Sequence, residues 1–124
     1  MGVISTVTLD GKPEAAVMVI SQTDNFELIF QTPNDSRKYQ NLKKNPNVAV
    51  AFGFDLEEFI TVQFEGIARE VKGDEIDECR KIHVAKNPKS ADYAYLPENK
   101  YFKVNPRWMT YLDFKKDKKF ELTF

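Results

Sequence analysis

The chain has 124 residues, of which 42% are hydrophobic and 13% aromatic, and this is enough apolar material for a single domain over residues 1–124 with a packed core. Its 18 basic and 19 acidic residues give a net charge of −1, which excludes a general electrostatic attraction to nucleic acid or to an anionic membrane. The single cysteine excludes an intramolecular disulfide. No apolar run reaches the roughly 20 residues that a membrane-spanning helix needs, and the first residues show no secretory signal pattern, so we expect a cytoplasmic protein.

The first quarter of the chain predicts three strands. Residues 3–9 are mostly β-branched, Asp10-Gly11 marks a tight turn, and residues 15–21 are apolar again, which is typical of a β-hairpin. A second turn at residues 23–25 leads into a third predicted strand over residues 26–30.

A short helix is predicted over residues 36–44, with Asp35 or Ser36 as its cap. Its first turn carries Arg37 and Lys38, although the free N–H groups and the positive end of the helix dipole normally favour acidic side chains there. Two cations in that field favour an anion site, most simply for a phosphate. The alternative is a pair of solvated cations in a frayed turn.

The rest of the chain predicts four further strands and one helix. Gly66 interrupts the alternation of the longest of these strands and predicts a bulge of the kind that closes a barrel. Strands therefore outnumber helices about seven to two, and the predicted fold is a mainly β, antiparallel barrel with two helices. In chain order we expect a buried strand over residues 48–54, a long strand over 59–71, a helix over 74–86, an irregular segment over 89–99, a strand over 101–114 interrupted at Asn105-Pro106, and a final strand over 120–124.

Five short motifs follow one another along the chain: Asp10-Gly11-Lys12-Pro13, Phe30-Gln31-Thr32, Ser36-Arg37-Lys38, Asn45-Pro46-Asn47-Val48-Ala49-Val50 and Glu65-Gly66-Ile67-Ala68. In this order they resemble the pyridoxamine 5′-phosphate oxidase-like, FMN-binding split-barrel proteins. The resemblance implies an antiparallel, six- to seven-stranded split barrel with two helices. It also implies a homodimer that holds FMN at the interface between its subunits.

The resemblance further implies a set of cofactor contacts. The strand over residues 16–21 would lie along the flavin ring, and Thr61 would sit beside the polar edge of that ring. Gln31 and Thr32 would approach the ribityl chain and the phosphate, which Arg37 and Lys38 would clamp. The cofactor-binding residues expected in this way are Ala16, Val17, Met18, Val19, Gln31, Thr32, Ser36, Arg37, Lys38 and Thr61.

Three departures from the family pattern argue against pyridoxamine phosphate oxidation as the activity. Ala16 and Ser21 stand where the true oxidases carry an Arg and a Lys, and Leu112 aligns with a Trp of theirs. We also expect no counterpart of the basic, His-containing tail of those enzymes, because the sequence ends at Phe124. FMN binding remains the expectation.

Other candidate residues favour structural roles. His83 follows Cys79 by four residues on the second predicted helix, but a structural zinc site needs four ligands, so no metal is expected. Cys79 and Ile82 are interpreted as the buried stripe of that helix. Trp108 is predicted to lie in the core or at a dimer interface rather than over the flavin. Solvated surface is predicted for Glu57, Glu58 and Glu65.

The leading hypothesis is a homodimeric FMN flavoprotein that takes electrons from a reduced donor and passes them to a small organic acceptor or to oxygen. No catalytic side chain is identified, because the flavin carries the chemistry. One alternative is a non-catalytic flavin-binding or sensing protein. A barrel that binds single-stranded nucleic acid is the weakest alternative, because no basic-aromatic stripe is present. A deazaflavin or haem in place of FMN stays open.

Overall fold

The computed structural model describes residues 1–53 and 55–124 of the chain. A 3-10 helix, Pro88–Tyr93, occupies part of the segment that was expected to be irregular. No helix in the described residues is long and apolar enough to cross a membrane. The other elements of these residues are β1 (Gly2–Val7), β2 (Pro13–Met18), β3 (Ser21–Gln22), β4 (Leu28–Pro33), α1 (Arg37–Lys44), β5 (Asn47–Phe52), β6 (Ile60–Glu70), α2 (Asp74–Lys86), β7 (Asn99–Asp113) and β8 (Lys118–Thr123).

The strands form one antiparallel sheet in the order β2-β1-β5-β6-β7-β4-β3. Strand β7 pairs with β6 along almost its whole length, while its first half also pairs with β4 and its second half with β8. The sheet curls into a half-barrel, which confirms the predicted mainly β, split-barrel class with two α-helices.

Two apolar clusters hold the curled sheet and its helices together. The larger one lies inside the curl, where the rings of Phe30 and Phe102 stack with their centroids 5.2 Å apart and the side chain of Phe64 is fully buried. The smaller one lies under α2 and includes Cys79 and Tyr101. The partly buried Ile82 packs against it, which confirms the predicted buried stripe of α2.

The segment over residues 15–21 is two strands rather than one, and this raises the strand count of the described residues to eight. Strand β2 pairs with β1 at one end of the sheet order, whereas β3 pairs with β4 at the other end. The chain therefore has to leave one end of the sheet at residues 19–20 and join the opposite end. Strand patterning in the sequence shows only that both halves are extended and apolar.

The strand predicted over residues 26–30 is β4, which begins two residues and ends three residues later than predicted. Phe26 adopts a positive φ of 62° and its N–H donates to the carbonyl of Thr23 at 3.2 Å, so it belongs to the turn between β3 and β4. Strand β4 then continues through Thr32 to Pro33, because these residues pair with the first residues of β7.

The predicted interruption at Asn105-Pro106 was wrong, because β7 runs through both residues. The register between β6 and β7 shifts between Glu65 and Gly66, which confirms the predicted bulge. Pro106 pairs opposite Gly66 at this irregularity, where a missing N–H does not break a regular ladder. A Cβ on Gly66 would lie only 2.4 Å from the carbonyl oxygen of Asn105, so only glycine fits there.

The bounds of the remaining elements agree with the sequence patterns to within a few residues. Strand β5 ends at Phe52, and the predicted last residue of that strand, Phe54, lies outside the described residues. Helix α2 covers the predicted range, with acidic residues in its first turn and a stop at Asn87.

Candidate functional site

Helix α1 starts directly after β4, and its first turn is built by a serine cap. Ser36 has extended backbone angles and its hydroxyl accepts a hydrogen bond from the N–H of Tyr39 at 3.1 Å, so Ser36 rather than Asp35 is the cap. The Thr32 hydroxyl lies 2.8 Å from the Ser36 hydroxyl and ties β4 to the cap. No acidic residue lies in the first turn. The helix start therefore keeps its positive field while its backbone is held in place.

Arg37 and Lys38 line a cleft of about 250 Å³ between α1 and the β1–β2 hairpin. We call it the α1 cleft; its other lining residues are Ile4, Thr6, Glu14, Ala15 and Ala16. Lys38 is half-buried, and burial lowers the pKa of its ammonium group because water is partly excluded. The ion pairs of the described residues include none with Lys38. An ammonium in this position is available to an anionic ligand.

Glu14 is a functional candidate that the sequence reasoning missed. Its carboxylate contacts the guanidinium of Arg37 and accepts a hydrogen bond from Asn41 Nδ2 at 2.8 Å. Asn41 Nδ2 also donates to the hydroxyl of Thr6 at 3.0 Å, and this holds the carboxylate against the hairpin. The sequence does contain a signal for Glu14. Alternate residues of a strand share a face, so residue 14 lies on the same face of β2 as Ala16.

A second and larger cleft, of about 930 Å³, is lined by residues 17–19, which directly follow the β2 residues that line the α1 cleft. We call it the α2 cleft, because the last turn of α2 and the 3-10 helix form one of its walls. Its other lining residues include Val17, Met18, Val19 and Gln31. The Gln31 Oε1 atom is buried and has no hydrogen-bond partner among the described residues.

His83, for which the sequence predicts no metal-binding role, also lines the α2 cleft. Its side chain is fully buried, and its Nδ1 atom lies 2.7 Å from the Ser21 hydroxyl. Asn87 Nδ2 donates to the same hydroxyl at 2.8 Å. Burial lowers the pKa of the imidazole below its ordinary value of 6.5, so His83 is neutral at pH 7. The described residues contain no group of three or more His, Cys, Asp or Glu that could hold a metal.

A family model described as pyridoxamine 5′-phosphate oxidase matches residues 1–113. The chain belongs to this family. Sequence comparison agrees, since the pyridoxine/pyridoxamine 5′-phosphate oxidase of Gloeothece citriformis is 38% identical over 74 residues. That match covers 60% of this chain and 34% of the relative, so the shared segment spans about a third of the relative's length.

Two solved structures show how widely this pyridoxamine 5′-phosphate oxidase fold is used. A heme binding protein from Mycobacterium smegmatis superimposes with a TM-score of 0.83 at 16% identity, over 98% of this chain and 52% of that one. A pyridoxamine 5′-phosphate oxidase-related, FMN binding protein from Nostoc punctiforme superimposes with a TM-score of 0.70 at 12% identity, over 99% of this chain and 85% of that one. At such low identity these likenesses establish the fold alone.

All of the residues expected from the family pattern except Thr61 fall into three places. Ala16, Arg37 and Lys38 line the α1 cleft, while residues 17–19 and Gln31 line the α2 cleft. Thr32 and Ser36 form the partly buried link between β4 and α1. The two clefts lie side by side because consecutive residues of β2 line one and then the other.

Thr61 is not brought to either cleft. It lies at the start of β6, paired with Leu112, and two strands separate β6 from β2 in the sheet. Trp108 is half-buried on β7, outside both core clusters and both clefts, and its Nε1 donates to Glu121 Oε1 at 2.8 Å. Trp108 therefore does not lie in the core, and the position at a dimer interface that was predicted as its alternative stays a prediction. Glu57, Glu58 and Glu65 are exposed, as predicted.

Proposed function

We propose that this member of the pyridoxamine 5′-phosphate oxidase family is an FMN-binding flavoprotein that works as an oxidoreductase on a small molecule. The observation that supports it best is the α1 cleft. Two cations lie at a helix start with free N–H groups, and one of them, Lys38, is half-buried and has no acidic partner among the described residues. Phosphate is the common group that suits both the charge and the donors of such a place.

In this proposal the FMN phosphate occupies the α1 cleft and the ring lies along residues 16–19. Strand β2 stands at one end of the sheet and pairs only with β1 among the described residues, so its outer backbone edge has groups to offer to a ring. Residues 17–19 supply an apolar wall on the side of the α2 cleft. The flavin, when bound, supplies the electron-accepting chemistry, and these residues hold and orient it.

A homodimer forms part of the proposal, and Thr61 gives a reason for it. Thr61 lies apart from both clefts within one chain. If the flavin is shared between two subunits, a second copy can bring its own Thr61 to the polar edge of the ring. Size-exclusion chromatography with light scattering tests this step, and a protein that binds FMN as a monomer contradicts it.

The first experiment is the visible spectrum of the purified protein, followed by titration of the ligand-free protein with FMN and with riboflavin. We expect a flavin spectrum and tighter binding of FMN than of riboflavin, because riboflavin lacks the phosphate. A Soret band, a deazaflavin spectrum, or equal affinity for FMN and riboflavin would contradict the proposal.

The same two clefts also suit a non-catalytic flavin-binding or sensing protein, because the cofactor needs no catalytic side chain from the chain. Turnover of NADH or NADPH by the FMN-loaded protein separates the two functions. Reduction of the flavin by a donor and its reoxidation by an acceptor is the result expected of an oxidoreductase. Failure with a broad panel of donors and acceptors favours the binding role.

A further inference from the structure

Strand β8 is an exposed edge of the sheet. It pairs with β7 on one side and with no other strand of the described residues, and all six of its residues are exposed. It contains no proline, and its pairing with β7 keeps one regular register. The free N–H and C=O groups of such an edge can pair with an added strand, and native proteins usually prevent this. The edge of β8 is therefore open to another strand.

The outward-facing backbone groups of β8 belong to its odd-numbered residues. The N–H of Phe124 donates to the carbonyl of Arg107 at 2.9 Å, on the side of β7. Alternate residues of an antiparallel ladder direct their N–H and C=O groups to opposite sides, so the even-numbered residues of β8 bond to β7. Lys119 and Glu121 therefore offer their backbone groups to an added strand.

The side chains of Lys119 and Glu121 carry opposite charges, and neither takes part in an ion pair of the described residues. Trp108 Nε1 donates to Glu121 Oε1 at 2.8 Å, which holds the carboxylate in place. An edge lysine normally discourages strand pairing. That effect is reversed when the added strand places a carboxylate opposite the lysine.

The even-numbered side chains of β8 lie on the inner face of the sheet. Phe120 pairs opposite Tyr111 and Leu122 pairs opposite Met109, which packs against the core cluster inside the curl. Phe120 and Leu122 nevertheless remain 57% and 45% exposed. The apolar inner face therefore continues to the edge of the sheet, and a neighbouring strand could cover it there.

The charges of β8 favour one register between two copies of this strand. If Phe120 lies opposite Phe120 of a second copy, Lys119 lies opposite Glu121 of that copy, and symmetry forms the same pair twice. A register centred on Lys119 or on Glu121 places two like charges opposite each other. A register centred on Leu122 places Glu121 opposite Thr123 and joins no opposite charges. The strand is therefore self-complementary in the register centred on Phe120.

We propose that β8 pairs antiparallel with β8 of a second copy of this chain, centred on Phe120, so that the two sheets continue into each other. Four strands separate β8 from β2, beside which the flavin is proposed to lie. The contact is therefore separate from one that shares the flavin between subunits, and it needs no FMN. Alone it gives a dimer, and together with a flavin-sharing contact it gives a tetramer.

Analytical ultracentrifugation over a concentration series, with and without FMN, tests the proposal. Lys119→Glu and Glu121→Lys each convert two attractive pairs into two repulsive ones. We expect each variant to raise the dissociation constant at least about tenfold and to shift the mass towards half that of the wild type. The matched control is Lys115→Glu, the same charge change in the turn before β8, and it should leave the association unchanged.

Mixing the two variants gives the sharpest result. Lys119→Glu and Glu121→Lys repel their own copies, but each presents to the other the charge that its edge needs. The mixture should therefore regain the wild-type mass, and the double variant Lys119→Glu/Glu121→Lys should regain it by itself. A mixture that stays at half the mass overturns the proposal, because folding defects or a change in net charge would then explain the single variants.

Three other results overturn the proposal as well: a monomeric wild type up to about 1 mM, an unchanged mass in both charge variants, or an equal loss in Lys115→Glu. If Glu121→Lys does not fold, Lys119→Pro decides instead. This substitution removes an outward-facing N–H and leaves the ladder with β7 intact, as proline at a sheet edge allows. It should abolish the association, and an unchanged mass in that variant overturns the proposal.

FMN titration of the same variants separates this inference from the proposed function. If FMN binds and the charge variants keep the wild-type mass, only the β8 contact fails. If the masses respond as expected and FMN does not bind, only the flavoprotein proposal fails. If FMN affinity falls together with the association, β8 forms the flavin-sharing contact and the separate contact is overturned.

Discussion

The two clefts beside β2 differ in where their polar groups lie. In the α1 cleft the cations reach water: the Arg37 side chain is 81% exposed, and Lys38 is only half-buried. In the α2 cleft the buried lining residues His83 and Ser90 are uncharged, and His83 and Asn87 both hydrogen-bond to the hydroxyl of Ser21. Charges remain where water or an ionic ligand can solvate them, whereas neutral groups can be buried once they are hydrogen-bonded. Neighbouring residues of one chain segment therefore line two clefts of different polarity.

The largest expected effect is on FMN binding and tests the two cations of the α1 cleft. Lys38→Ala should weaken FMN binding by one to two orders of magnitude, because a charge-assisted hydrogen bond contributes about 1.5–3 kcal/mol. Arg37→Ala should fall in the lower part of the same range, since Glu14 already holds that guanidinium. Flavin fluorescence titration measures both.

The matched control for these variants is Lys44→Ala, which removes an exposed cation from the last turn of the same helix. Its FMN affinity should stay close to that of the wild type. A loss in Lys44→Ala as large as that in Lys38→Ala would mean that only the net charge of the helix matters, and the α1 cleft would lose its assignment.

Ser21→Ala tests the buried, uncharged hydrogen-bond network beside the α2 cleft. The substitution leaves Asn87 Nδ2 and His83 Nδ1 without their shared partner, and a buried polar group without a partner costs about 1–3 kcal/mol. We expect the free energy of unfolding in urea to fall by that amount. Ser5→Ala, on a half-buried serine of β1, should cost less than about 0.5 kcal/mol. Equal stability of the two variants would show that the network contributes nothing.

A smaller change in FMN affinity is expected when the ion pair between Glu14 and Arg37 is removed. Glu14→Gln removes a negative charge beside Arg37 and keeps an oxygen for Asn41. Since an exposed ion pair is worth about 0.2–1 kcal/mol, FMN should bind about two- to fivefold more tightly. Riboflavin affinity should not change, because riboflavin has no phosphate. Weaker FMN binding would show that Glu14 orients Arg37 for the ligand instead of competing with it.

The smallest effect concerns the base of α2, away from both clefts. The Arg69 guanidinium donates two hydrogen bonds to the Glu75 carboxylate, at 2.6 and 2.8 Å, and lowers the pKa of Glu75 to about 2 from its ordinary 4.5. The folded state therefore binds fewer protons than the unfolded state between these values, so this stabilisation is complete above pH 4.5 and is lost as the pH falls towards 2. Because the pair is partly exposed, we expect about 1 kcal/mol.

Thermal unfolding as a function of pH measures that contribution. Glu75→Gln should be slightly less stable than the wild type at pH 7 and should lose part of the acid-dependent decline. Glu78→Gln, an exposed neighbour on α2, is the control. Identical acid profiles of Glu75→Gln and the wild type would rule out the ion pair as a source of the pH dependence.

The features that could be predicted from the sequence are those that depend on near neighbours. The start of α1, its two cations, the charge order of α2 and the bulge at Gly66 each follow from a few consecutive residues. The phosphate end of the proposed site was predictable for the same reason. The continuity of β7 through Pro106 was not, because it depends on the irregular pairing with β6.

The sequence by itself determined a mainly β chain with two helices and an anion-attracting helix start, since strand alternation, caps and charges act over short distances. Only the tertiary structure decided that β2 and β3 belong to opposite ends of the sheet, that Glu14 meets Arg37, and that Ser21 bonds to His83 across 62 residues of sequence. These contacts arise when the sheet curls and α2 packs against it. No local pattern specifies which distant groups such packing brings together.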